Sequence, residues 1–175
     1  AQAGNYPALV WYLYEYYDDI RILSNHYSAI VKWIDYLGSI SEENIISTGW
    51  LGDHMTPGPS PGYEEYTSDE MPPPLIWTGY YYRSAVVASK AAGILGKSED
   101  VSKYAELAES IRETINTGFF DAKKGNYADG AQTANAFSLI LGLVPEERVS
   151  TVLDNLVREI METHSGHIHT GHVGT

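Results

Sequence analysis

Asp53 and His54 lie in the run GWLGDH, and Glu64, Glu65, Asp69 and Glu70 follow within a stretch punctuated by Pro57, Pro59, Pro61 and Pro72 to Pro74. Trp50 and Trp77 flank that stretch, and Tyr80 to Tyr82 follow it. Hydrolysis of a glycosidic bond asks for such a mixture. One carboxyl group protonates the leaving oxygen, another activates water or attacks the sugar, and aromatic faces hold the ring. The bland reading is that acids in a Pro/Gly-rich loop are solvated or cap helices, and that tryptophans pack. Asp53 and His54 are the stronger candidates because a glycine and the prolines confine them. Trp77 is favoured by its place at the start of an apolar helix. The 14 tyrosines against three phenylalanines supply flat apolar faces with hydroxyl tips, which suit a sugar site and equally suit packed helices.

A second group closes the chain. The tail HSGHIHTGHVGT carries His164, His167, His169 and His172, a spacing that a flexible loop can gather around zinc. No cysteine assists, and the same Gly/Thr-interleaved run reads as a polar loop in which a histidine contacts sugar hydroxyls or orients a carboxylate. The second reading is preferred, and no metal is assigned. Gln132 and Thr133, after YADGA, sit where a helix begins and offer donors to hydroxyls, or simply cap the helix. No phosphate-cradling loop, serine elbow or dinucleotide fingerprint occurs.

These residues hang on helices. The pattern predicts six, over about 6–17, 20–37, 74–95, 98–115, 132–143 and 145–163, with no strand. The odd-numbered helices are apolar all round, as inner helices are; the even-numbered ones carry a charged face, as outer helices do. Helix two is expected to stop at Gly38. Short links join helices one to two, three to four and five to six, whereas long ones follow helices two, four and six. Consecutive helices run antiparallel, so all long loops fall at one end, together with the N-terminal tips of the inner helices. A cleft is expected there.

The fold class is therefore all-α, with helical hairpins making about half of an (α/α)6 toroid; a curved solenoid is the structural alternative. One domain is expected over 1–175, with a rim loop over 38–73 and a tail loop over 164–175. A half-ring leaves inner helices open to water, so a homodimer closing it is a candidate assembly. The 11 basic and 23 acidic residues give a net charge of -12, which disfavours nucleic acid and anionic membranes as partners. No run is apolar enough to span a bilayer, and no leader pattern opens the chain, which leaves cytoplasm, periplasm and exterior all open as compartments.

The segments WYLYEYYDD, ILSNHYSAIVKWIDYL, GWLGDH, WTGYYYRSA, AAGILGKSEDVSKYAELAESI, GNYADGAQTANAFSLILGLVPEE and GHIHTGHVGT resemble, in order and spacing, the six-hairpin catalytic domain of bacterial α-L-rhamnosidases, glycoside hydrolase family 78. The resemblance spans essentially the whole chain. It implies an (α/α)6 barrel that releases terminal α-L-rhamnose with inversion, needing neither metal nor cofactor. It also implies that the general acid lies upstream of the matched segment and the general base downstream, so that the isolated chain is inactive. By the same resemblance Asp53 binds sugar hydroxyls, and His54 replaces a tryptophan that lines the sugar subsite. His169, Thr170 and Gly171 shape the cleft floor, and an aromatic-acid motif is poorly preserved at Gly4 and Asn5. The candidate substrate-binding set is Asp53, His54, Trp50, Glu64, Trp77, Gln132 and His169. Two other readings compete: a non-catalytic carbohydrate-binding or assembly module, and an unsaturated uronyl hydrolase, for which Arg83 is a poor sole cation.

Overall fold

The computed structural model describes residues 4–49, 52–53 and 71–173. Within them run α1 (Asn5–Tyr17), α2 (Ile20–Ile40), α3 (Pro73–Ile94), α4 (Ser98–Phe119), β1 (Phe120–Asp121), β2 (Asn126–Tyr127), α5 (Gln132–Leu141) and α6 (Val149–Arg158). The all-helical class holds, and so does the pairing into hairpins. Helix α1 packs on α2 and α5 on α6, while the Ser89 hydroxyl of α3 donates to the Val101 carbonyl of α4 at 2.9 Å. Within 1–175 the chain is organised as two compact units, 1–48 with 77–114 and 49–76 with 115–175.

In the first unit, Asp18 adopts a left-handed conformation that ends α1, and its amide closes on the Tyr14 carbonyl at 2.8 Å. Asp19 then caps α2 by accepting from the Arg21 amide at 2.9 Å. Leu23, Ile30, Ile34 and Leu37 form the buried stripe of α2, at the three- and four-residue spacings of one helical face. Tyr104, Ala108 and Ile111 do the same for α4. Helix α2 continues past the predicted stop at Gly38 to Ile40. Gly38 is a packing glycine: a Cβ there would lie 3.1 Å from the Tyr81 hydroxyl. Helix α1 buries only Pro7, Ala8 and Val10 and leaves Leu9, Tyr12, Tyr16 and Tyr17 exposed, so the expectation of burial on all sides fails for this helix. An all-apolar helix needs neighbours on every side to be covered.

The second unit contains a β-hairpin that the helical reading missed, with Phe120 opposite Tyr127 and Asp121 opposite Asn126. Two-residue strands are too short to show a period. Asp121 organises the turn by accepting from the Lys123 and Lys124 amides at 2.9 and 3.1 Å. Those two amides, Lys124 first, hold its carboxyl below the usual carboxylate range. Asn135 of α5 ties the hairpin down: its Oδ1 accepts from the Tyr127 amide at 2.9 Å, and its Nδ2 donates to Asn126 Oδ1 at 3.1 Å. The predicted helix over 145–163 is divided. A 3-10 turn (Glu146–Arg148) precedes α6 and a π-helical turn (Glu159–Thr163) follows it. The exposed face of α6 is not simply charged, because Val149, Leu153 and Val157, with Met161 beyond, stay exposed at four-residue intervals.

Candidate functional site

In the second unit, three segments meet at Asp53. The residue is 1% exposed, and its carboxylate is satisfied by three neutral donors. The Thr133 hydroxyl and the Gly171 amide donate to Oδ2 at 2.6 and 3.0 Å, and the Val173 amide donates to Oδ1 at 2.8 Å. A buried carboxylate requires such donors to replace its hydration. Thr133 stands in the first turn of α5, whose N-cap residue, Ala131, provides no side-chain cap. The positive end of the helix dipole therefore favours an anion there.

One position earlier, Gln132 is 2% exposed. Its Nε2 donates to the His167 carbonyl at 3.3 Å and its Oε1 accepts from the His169 amide at 3.0 Å. The amide side chain thus reads the tail backbone as a paired strand would. Together, Gln132 and Asp53 grip alternate residues, 167, 169, 171 and 173.

Two of the tail histidines meet through their rings. The His164 and His169 rings stack at 4.4 Å with an 18° interplanar angle. His164 Nε2 lies 3.2 Å from Glu159 Oε1, and the Thr163 hydroxyl donates to Glu159 Oε2 at 2.9 Å. The π-helical turn supplies all three of these residues or adjoins them, as such turns often do at functional sites. Among the described residues, no three His, Cys, Asp or Glu side chains gather as metal ligands.

Of the predicted set, Asp53, Gln132 and His169 come together in the second unit, and Trp77 lies in α3 within the first. Trp50, His54 and Glu64 lie outside the described residues, as do Glu65, Asp69 and Glu70. The sequence reading did not anticipate the Gly171 and Val173 amides or the Glu159–His164 pair. Backbone donors carry no side-chain signature, and a five-residue spacing is in phase only on a π-helical turn. A separate cleft of about 380 Å³ in the same unit is lined by Pro72, Phe119, Phe120, Asp121, Ala128 and Asp129 among others.

A family model for the bacterial alpha-L-rhamnosidase six-hairpin glycosidase domain matches residues 3–175. The chain belongs to that family. Its three helical pairs are half of the six hairpins in the domain's name. An alpha-L-rhamnosidase of Formosa agariphila is 27% identical over 165 residues, covering 94% of this chain and 17% of that protein. The solved alpha-L-rhamnosidase from Dictyoglumus thermophilum superposes with a TM-score of 0.88 at 34% identity, covering 98% of this chain and 19% of that one. A Streptomyces avermitilis alpha-L-rhamnosidase complexed with L-rhamnose gives a TM-score of 0.81 at 29% identity, covering 95% and 15%. The chain therefore spans less than a fifth of the length of each of these three relatives.

Proposed function

We propose that the chain is a segment of a glycoside hydrolase that removes terminal α-L-rhamnose from glycosides or polysaccharides. The observation that carries this reading is the double clamp on the tail, because it orders a polar segment in a chain whose relatives are alpha-L-rhamnosidases. Asp53, Gln132 and His169 form the framework of the sugar-binding surface in the second unit; Trp50, His54, Glu64 and Trp77 are candidate contacts by the sequence resemblance. Hydrolysis proceeds with inversion, through a general acid and a general base separated by roughly 6.5–9.5 Å to admit water. Both carboxylates come from outside 1–175, and the 175-residue chain alone turns nothing over.

The test is to express the complete reading frame that contains this chain and assay it on an aryl α-L-rhamnoside, following the product anomer by NMR. Initial formation of the β-anomer supports the proposal; no hydrolysis by a folded protein refutes it. For the isolated chain, the exposed Leu9, Tyr12, Tyr16 and Tyr17 of α1 favour self-association into a homodimer. Light scattering at the dimer mass supports this assembly, and a monodisperse monomer removes it. A non-catalytic module would instead require saturable binding of L-rhamnose by the 175-residue chain without turnover by the complete protein.

A further inference from the structure

Among the described residues of the tail, Thr170 carries a buried side-chain oxygen, Oγ1, without a hydrogen-bond partner. The residue is 6% exposed. Its neighbours are committed. Asp53 accepts from three donors, Thr133 donates to Asp53, and Gln132 uses both ends of its amide. Leaving a hydroxyl buried and unpaired is unfavourable, and an isosteric valine would avoid that cost. A hydroxyl in this state gains a hydrogen bond if a partner reaches it on binding.

The backbone around it is held in advance. The amide of His169, one residue before, donates to Gln132 Oε1 at 3.0 Å, and the amide of Gly171, one residue after, donates to Asp53 Oδ2 at 3.0 Å. Thr170 sits between two fixed points. Its β-branched side chain adds stiffness at χ1, so the hydroxyl loses little freedom on engaging a ligand. A neutral group that both donates and accepts matches a sugar hydroxyl better than an anion or a cation.

We propose that Thr170 Oγ1 is a substrate-binding group for a ring hydroxyl of the rhamnosyl residue, with Gln132 and Asp53 as its positioning residues. This rests on the rhamnosidase reading above. The test uses the complete protein and its T170V and T170S variants, assayed on an aryl α-L-rhamnoside and on its 2-, 3- and 4-deoxy analogues. T170V keeps or raises the melting temperature and lowers kcat/KM about ten- to a hundredfold, while T170S stays within about threefold of wild type. One deoxy analogue, poor for the wild type, is hydrolysed equally by wild type and T170V, because the pair is already broken. Three results overturn the proposal: wild-type kcat/KM in T170V, a loss in T170V that is the same on all four substrates, or a T170V melting temperature several degrees lower, which reveals an internal partner. A wild-type protein that hydrolyses no rhamnoside removes the functional reading itself, and the proposal falls with it.

Discussion

The Thr133 hydroxyl donates to Asp53 Oδ2 across 2.6 Å, joining the start of α5 to a residue 80 positions earlier. The same oxygen accepts from the Gly171 amide. One carboxylate thereby fixes three segments remote in sequence, and its removal strands several donors at once. D53A is expected to cost roughly 2–3 kcal/mol of unfolding free energy, measured by urea titration. The coupling is specific to the pair: T133V is costly in wild type and nearly neutral in the D53A background. Additive losses would mean that the bond carries little weight.

Gln132 holds the tail without charge. Q132A removes both the donor to His167 and the acceptor for His169, while His164 remains attached to Glu159 through its ring nitrogen. Amide exchange is therefore expected to speed up about tenfold at His169 and to change little at Val173, which Asp53 retains. Equal acceleration at both amides would show that the two clamps open as one.

Much of this was written in residue types and some was not. The helical pairs follow from apolar spacing, as in Leu23, Ile30, Ile34 and Leu37, and from turn residues such as Gly142, which takes φ 70° after α5. Asp53, Gln132 and His169 were identifiable as polar residues in or beside the segments where loop lengths lead one to expect a cleft. Their partners were not, because the amides of Gly171 and Val173 exist at nearly every position and only tertiary folding selects two of them. The β-hairpin was equally silent: its turn depends on Asp121 bonding its own backbone, a local device with no periodic trace.

Alkaline pH acts on the first unit. Burial raises the pKa of Tyr6, Tyr27, Tyr81, Tyr82 and Tyr104 above the ordinary value of 10.0. For Tyr27 the hydrogen bond to Asp100 at 2.9 Å adds to that effect. Above about pH 10 the unfolded chain loses these protons while the folded chain keeps them, so stability falls with rising pH. The contribution is complete below about pH 10 and disappears as pH climbs through the folded values. Urea midpoints measured from about pH 8 to 11.5 should decline beyond 10, and Y27F should flatten that decline. A midpoint independent of pH over this range would contradict the burial of these phenols.

Gly125 separates two costs that usually arrive together. It closes the hairpin turn at φ 71°, with its amide on the Asp121 carbonyl at 2.7 Å. A Cβ built there would meet Thr151 Cγ2 at 2.5 Å. G125A therefore suffers both the left-handed backbone penalty, about 1 kcal/mol for alanine, and a clash with α6. The total is expected near 3 kcal/mol by thermal or urea unfolding. T151S deletes the offending methyl group, and Asn155 still holds the hairpin to α6 through the Lys124 and Gly125 carbonyls at 2.8 and 3.0 Å. G125A/T151S should consequently recover the clash and retain only the backbone term, about 1 kcal/mol. If the double variant is as unstable as G125A, the contact between hairpin and α6 adjusts freely and the conformational term accounts for the whole loss.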